Sequence, residues 1–363
     1  MISRKLSLAI LLVLLCAGAK AQVTGAQFAF EYLRLPNSPH ISALGGINVA
    51  HPAEDISFAM QNPSLMRPAL HNQLSLNYNN FYSGISNANL SYGYYLPKLN
   101  TAFALGIQYL NYGSFAQTDI TGVQNGTFKA ADFTVSLAAS KQYKERWRYG
   151  ATLKVAQSKL ADVSATAVLA DVGIAYEDTA NFLTFSAVAK NVGFMAKQYT
   201  AGKGNSEPLP FDLQLGISKR FKHLPLRLYT TVHHLYEWDV RYNNPEDKKS
   251  TSVFGSADTT VSKNFTDNLF RHFIFGAEIT IAKRIAATVA YNHMRRAEMA
   301  LDTKKGSAGF SFGASIYLNK FQIHYARSFY SIAGAYNEFG LNLSLNKFVG
   351  GNSIWKADYP NWE

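Results

Sequence analysis

The sequence predicts an all-β chain, a 14-stranded antiparallel transmembrane β-barrel preceded by a small N-terminal plug segment. Three observations carry this. From residue 73 onward hydrophobicity alternates with period 2, the mark of a strand with two unlike faces. Fourteen segments show it, an even count, and most approach ten residues, longer than the strands of a soluble sandwich. The connections between them are short on one rim and include the long ones on the other, the asymmetry of an outer-membrane barrel.

Composition agrees. Beyond the N-terminus no apolar run approaches the roughly 20 residues of a membrane helix. Yet 24 Phe and 21 Tyr accompany only 16% charged residues, which suits strands that face lipid.

Taken in order, "MISRKLSLAILLVLLCAGAKAQ" has Arg4 and Lys5, an apolar run over residues 6 to 15, and Ala19-Lys20-Ala21. Residues 1–21 are therefore expected to be a cleavable secretory signal. Cys16 follows the bulky Leu15, where a lipoprotein signal has a small residue. It is the single cysteine, so a chain cleaved after Ala21 has no disulfide, thiol nucleophile or thiolate metal site.

Residues 22–72 are expected to form the plug. In "ALGGINVAHPAEDISFAMQNPSLM", Asp55 can cap a short helix through Ile56, Ala59 and Met60. Pro63 pushes Asn62 out of the α region and suits the first position of a further turn. Gly45 and Gly46 allow a tight bend or a close backbone approach. So short a segment cannot bury much by itself. Ahead of a barrel it is expected to fold into the lumen, the alternative being a loose periplasmic arm.

The barrel, residues 73–348, is assigned strands near 73–82, 86–96, 101–112, 130–140, 146–158, 166–176, 181–192, 210–220, 225–236, 271–282, 284–294, 308–318, 320–329 and 337–347. In the third, Phe103, Leu105, Ile107 and Tyr109 share one face, and Ala104, Gly106 and Gln108 the other. Phe133, Val135 and Leu137, Phe273, Phe275 and Ile279, and Phe310, Phe312 and Ile316 repeat the pattern. Long loops are expected at 113–129, 193–209, 237–270 and 295–307. Residues 349–363 form a tail.

Without Arg4, Lys5 and Lys20 the chain carries 32 basic and 24 acidic residues, a net charge of +8. The excess gathers on the short-turn rim, at Lys98, Lys141, Lys144, Lys219, Arg220 and Lys320 among others. It is not interleaved with stacking aromatics on one element, which argues against nucleic acid; anionic lipid phosphates, an acidic partner or a plain solvated rim fit better.

No G-x-S-x-G, H-E-x-x-H, phosphate loop or cysteine pair is present, so the reading is non-enzymatic, with no cofactor and no metal. His233-His234 near Asp239 suggests a metal pair at first sight. Adjacent strand residues point to opposite faces, so strand-end histidines at an interface are expected instead. Asp171, Lys190, Arg227 and Glu278 fall on lumen faces, to pair there or to line a conduction path.

"LRLPNSPHISALGG", the acidic helix with "QNPSLM", "HNQLSLNY", "YGSFAQTDITGVQNGTF", "AKNVG", "LPFDLQLGISKRF" and "RHFIFGAE", in this order, resemble the PorQ family of the type IX secretion system. That family is itself similar to FadL-like outer-membrane barrels, whose N-terminal segment, with a glycine pair and an Asn-Pro, plugs the lumen. The final strand also resembles an assembly signal, with Glu338, Gly340, Leu343 and Leu345 at the usual spacing; it departs in carrying a tail beyond Phe348. The resemblance implies a barrel of the outer membrane of a Gram-negative bacterium, anchoring a PorZ-like surface protein beside PorU- and PorV-like members of an attachment complex that links cargo to lipopolysaccharide. The loop at 237–272 is the expected docking element. The alternative is a FadL-type channel for hydrophobic small molecules, against which the small and polar inward faces count.

Overall fold

A computed structural model describes residues 28–52, 54–199, 207–241, 265–282, 284–299, 306–331 and 334–348. The expected signal 1–21, the tail 349–363 and most of the longest loop, 242–264, lie outside the described residues.

Among the described residues fourteen strands run in chain order: β1 Gln73–Asn80, β2 Ser86–Leu96, β3 Thr101–Thr118, β4 Gln124–Tyr143, β5 Trp147–Leu160, β6 Val163–Asp178 and β7 Leu183–Lys197. They continue as β8 Asp212–Arg220, β9 Leu226–Val232, β10 Phe273–Ile281, β11 Ile285–Asn292, β12 Phe310–Tyr317, β13 Phe321–Ser331 and β14 Gly334–Ser344. Each pairs antiparallel with the next, and β14 returns to β1 with Gln73 opposite Ser344 and Asn80 opposite Asn337. The sheet is a closed 14-stranded barrel. Closure pairs both edges of every strand, which a sheet in hydrocarbon requires.

Period 2 sorts the side chains. Leu105, Leu137 and Leu153 lie side by side on β3, β4 and β5 and are exposed, whereas their neighbours Ala104, Ala138 and Thr152 are buried. Phe275, Phe312, Ile316 and Phe339 extend the exposed apolar belt around the wall. Such a belt is a liability in water and a contact in lipid.

The two rims differ, though not quite as the sequence suggests. On one rim every turn has three to five residues. On the other, the loop expected at 113–129 is mostly strand, because β3 and β4 stay paired through a bulge at Asn111 and Gly113 up to a turn at 119–123. The Asp119 carboxylate closes that turn by accepting from the Thr121 and Val123 amides, at 2.8 and 3.0 Å. At about 3.3 Å per residue and a tilt near 40°, the 18 residues of β3 climb roughly 45 Å, past an apolar band of about 25 Å. Strands β8 to β12 have only seven to nine residues. Over this low side fold helices α2 (Phe265–Arg271) and α3 (His293–Met299), joined where Asp267 meets Arg271 at 2.8 Å and His293 at 3.1 Å.

Residues 29 to 70 lie within the barrel. Helix α1 (Pro39–Ala43) starts on Ser38, whose hydroxyl accepts from the Ile41 amide, and packs on β11 to β14. The 3-10 turn Ile56–Met60 is capped by Asp55, which accepts from the Ser57 amide at 2.9 Å, and Asn62 caps the next turn, Pro63–Leu65, through the Ser64 amide at 3.0 Å. Inward-facing glycines make room for these turns. A Cβ at Gly93 would lie 2.6 Å from Ile56 Cδ1, at Gly150 2.9 Å from Pro63 Cβ, and at Gly216 2.8 Å from Val49 Cγ2. At Gly173 it would collide with Asn62, and at Gly313 with Ala43.

Replacing a lipid-facing residue tests the belt. Leu137→Arg should cost about 2–4 kcal/mol of folding free energy in bilayers, read by denaturant titration of the liposome-inserted protein. An unchanged midpoint would remove Leu137 from the lipid-facing band.

Candidate functional site

The inward faces of the strands are polar, and out of bulk water each group needs a partner. At mid-wall, Asp171 on β6 is fully buried, 2.6 Å from Lys154 Nζ on β5, and accepts from the Asn191 amide at 2.8 Å. A register shift between Ala170 and Val172 puts Asn191 in a left-handed conformation, where its side chain also accepts from Lys154 at 3.0 Å. Lys190 turns to the plug and donates to Gln61 Oε1 at 3.1 Å and to the Met60 carbonyl at 3.4 Å. Asp171 and Lys190 are both buried. The direct ion partner of Asp171 is Lys154, which the sequence reading passed over because a lone lysine in an alternating strand reads as an ordinary polar position.

Across the lumen, Glu278 on β10 lies opposite Arg227 on β9 in the register. Its carboxylate stands 3.0 Å from His40 Nε2 and 3.5 Å from His51 Nε2, both from the plug, and accepts from Thr288 at 3.3 Å. The Tyr229 hydroxyl is 3.1 Å from His51 Nε2, and Asp55 faces the other nitrogen of His40 at 3.8 Å. His324 stacks on His40, its own nitrogens engaged by Ser315 and Asn342. A third attachment is Glu338, which accepts from Ser42 at 2.6 Å and from Asn79 at 2.7 Å. Sequence reasoning found Glu278 and Arg227 but not His40 or His51, since nothing in their spacing relates them to residue 278.

The glycine pair lies under the loop-bearing rim. Gly45 and Gly46 have φ of 89° and 92°. A Cβ on Gly45 would lie 2.5 Å from Ile274 Cγ2, and one on Gly46 2.5 Å from Arg295 of α3, so both backbone conformation and close approach call for glycine. Arg295 is held above by the ring of Tyr330, 4.0 Å from its centroid.

The histidine pair corrects the sequence reading. Strand β9 stops at Val232 and His234 has φ of 55°, so the two rings do not point apart. Their Nδ1 atoms meet at 2.5 Å, beside Asp212. Burial pushes both imidazoles down to about 3, each charging with difficulty. Asp239 pairs with Arg241, at 2.8 Å.

At the loop-side mouth the first described turns of the plug, with Phe30, Tyr32 and Leu33, pack with Leu110, Leu169 and the alanines 156, 165 and 167, and Met195, Tyr199 and Leu209 lie against them. The Tyr32 hydroxyl finds Thr134 at 2.5 Å. Below this cluster a cavity of about 40 Å³ lies between Leu33, Leu35 and Met60 of the plug and the walls bearing Lys154 and Lys190. Sequence reasoning missed these mouth residues, of which three come from the plug and three are alanines.

No family model and no curated protein matches this chain. Among solved structures, a monoaromatic hydrocarbon channel, CymD, is 13% identical with a TM-score of 0.49, over 87% of this chain and 97% of its own. A deletion mutant of TodX, also a monoaromatic hydrocarbon channel, is 14% identical with a TM-score of 0.48, over 85% and 97%. A mutant porin of Rh. blastica is 6% identical with a TM-score of 0.29, over 75% and 97%.

Asp171 gives a direct test. Asp171→Ala strands Lys154 in a buried site and should destabilise the barrel by about 3–5 kcal/mol, most of which Lys154→Met in the same chain should restore. Additive losses in equilibrium unfolding would show that the two residues do not act as a pair.

Proposed function

We propose that the chain is an outer-membrane channel for small apolar solutes, with its plug as the gate. One observation supports this above the rest: the apolar cluster of Phe30, Leu33, Leu110 and Leu169 faces inward at the loop-side mouth, directly above the plugged cavity. These side chains are packed shut between plug and wall, so they offer an apolar solute arriving from the loops a lining only once the first turns of the plug shift. The cavity of about 40 Å³ holds about one water. Ligand sites usually have about 300–1,000 Å³, so passage requires the plug to shift. The plug's attachments are hydrogen bonds and ion pairs to the wall, which can be exchanged for others without opening the barrel.

A second reading, a barrel holding a PorZ-like surface protein beside PorU- and PorV-like members, is supported by the tall β3–β4 hairpin. Phe115 stacks on Phe128 on its stem, and Ile120 and Val123 stand exposed at the tip, well above the apolar band. Exposed apolar groups on a projecting rigid hairpin suit a protein partner. The loop expected to dock that partner, 237–272, lies largely outside the described residues, and its described ends fold over the mouth.

Uptake decides the first reading. Cells producing the protein should accumulate labelled toluene faster than cells without it, and Leu33→Asp or Leu169→Asp should reduce the difference several-fold in variants that still fold, as judged by a change in gel migration between unheated and heated samples. Equal uptake with and without the barrel would overturn the channel. Deleting residues 28 to 66 should raise ion conductance in planar bilayers, because it empties the lumen. For the anchoring reading, Ile120→Asp with Val123→Asp should release a surface-bound PorZ-like partner into the medium without changing barrel stability; full retention would move the docking face elsewhere.

A further inference from the structure

We propose that His40, His51 and Glu278 form a divalent transition-metal site, of the kind zinc occupies, which pins the plug to the barrel wall. Their ligand atoms all lie within 4.8 Å of one another, and the three residues are buried. Two of the spans, 3.0 Å from His40 Nε2 to Glu278 Oε2 and 3.5 Å from His51 Nε2 to Glu278 Oε1, bracket the separation of ligand atoms around a tetrahedral ion, and a small rotation of the carboxylate presents one oxygen to both rings. With bonds of about 2.0–2.1 Å that separation is roughly 3.3 Å. Two imidazoles and a carboxylate leave a fourth position, next to which stands the Tyr229 hydroxyl.

A second observation concerns the surroundings. Metal-bound histidines donate their other nitrogen to a carboxylate or carbonyl, which fixes the tautomer. His40 Nδ1 faces Asp55 Oδ2 at 3.8 Å, and neither atom makes a hydrogen bond in the structure although both are buried. A metal on Nε2 requires the proton on Nδ1, which faces Asp55 Oδ2 at 3.8 Å, so a small approach of the two side chains completes the contact. Glu278 and Asp55 together balance a doubly charged ion, and the site then has Arg227 as its remaining nearby charge. Thr288 donates to Glu278 and holds its orientation.

The neighbouring clusters do not offer this. His324 has both nitrogens committed to Ser315 and Asn342. At Asp212 both carboxylate oxygens are taken, by the His234 amide at 2.7 Å and Gln214 at 2.6 Å, and the two histidine nitrogens at 2.5 Å are closer than ligands of one ion stand. The proposal is independent of the solute or partner, because the three ligands connect residues 40 and 51 of the plug to the wall at 278 whatever the barrel admits or anchors.

The test uses the full-length protein purified in detergent, stripped with chelator, loaded with Zn²⁺ alone and desalted. Wild type should retain one zinc per chain by mass-spectrometric metal analysis. His51→Gln and Glu278→Gln should bind at least about 100-fold more weakly, and Asp55→Asn, which keeps the cap on Ser57, about 10–100-fold more weakly. His234→Gln should bind as wild type does. Substitution with Co²⁺ should give the intense visible absorption of a four-coordinate ion with nitrogen ligands. A wild-type barrel that retains no zinc, or a pale six-coordinate cobalt spectrum, would overturn the proposal without any variant having to fold. Equal zinc retention in folded Glu278→Gln and His51→Gln would do the same.

Discussion

The structure depends on one constraint: a closed barrel in lipid turns half of its side chains into a lumen, where each buried polar group must find a partner. The outward half is satisfied by hydrocarbon. The inward half of this chain is mainly Gly, Ala, Ser, Thr and Asn with scattered charge, and it cannot collapse on itself across the lumen. Residues 29 to 70 supply what is lacking. Ser57 meets Ser75, Gln73 reaches the Ile56 amide, Ser186 donates to the Val49 carbonyl, and Ser42 meets Glu338. The plug in turn has three-residue and five-residue turns that would not stand alone in water. Wall and plug are each other's core.

The contact is close because glycines on β2, β5, β6, β8 and β12 let backbone and small side chains of the plug approach the wall directly. Close approach makes fit stringent, since even a methyl group meets an atom at these positions. It also leaves the plug attached chiefly by short polar groups rather than by a large apolar interface. The larger apolar clusters sit at its two ends, one at the loop-side mouth with Phe30 and Leu169, the other near the short-turn rim with Ile56, Met66 and Tyr95. Between them Lys190, Glu278 and Glu338 hold the middle. Ile41, Leu44, Phe58 and Leu65 add an apolar contact there, against Ala175 and Tyr229.

Fourteen strands were legible because lipid outside and polar packing inside impose a strict period of two, which survives every local irregularity. All fourteen expected segments coincide with observed strands, β2 at identical bounds. What failed was local. The β3–β4 hairpin was hidden because above the membrane no lipid enforces alternation, so "YGSFAQTDITGVQNGTF" reads as turn chemistry. His233 and His234 were misread because a single left-handed residue ends the strand, and such a residue was not recognisable without glycine or asparagine. The cap at Asp55 was legible since its partner lies two residues away; that Asn62 also caps, through the Ser64 amide, is added by the structure. The histidine–carboxylate cluster was not, with 238 residues between His40 and Glu278.

The asymmetry of the wall links these levels. Strands β3 to β7 are 14 to 20 residues long and rise on one side, while β8 to β12 stop early and leave a gap that α2 and α3 fill. The mouth cluster leans on the tall side, through Leu110, Ala156 and Leu169, and the glycine pair bends under the low side, beneath Arg295. The chain thus enters the lumen along the high wall, crosses to the low wall at α1, and descends to β1 past the histidine cluster. The apolar cluster therefore lies nearest the mouth, the polar attachments lie below it, and the hairpin tip stands above both. The same tall strands carry all three, and the bulge at Asn191 on β7 places Lys190 where it bonds to Gln61. The β6–β7 bulge accordingly ties the high wall to the seat of the plug.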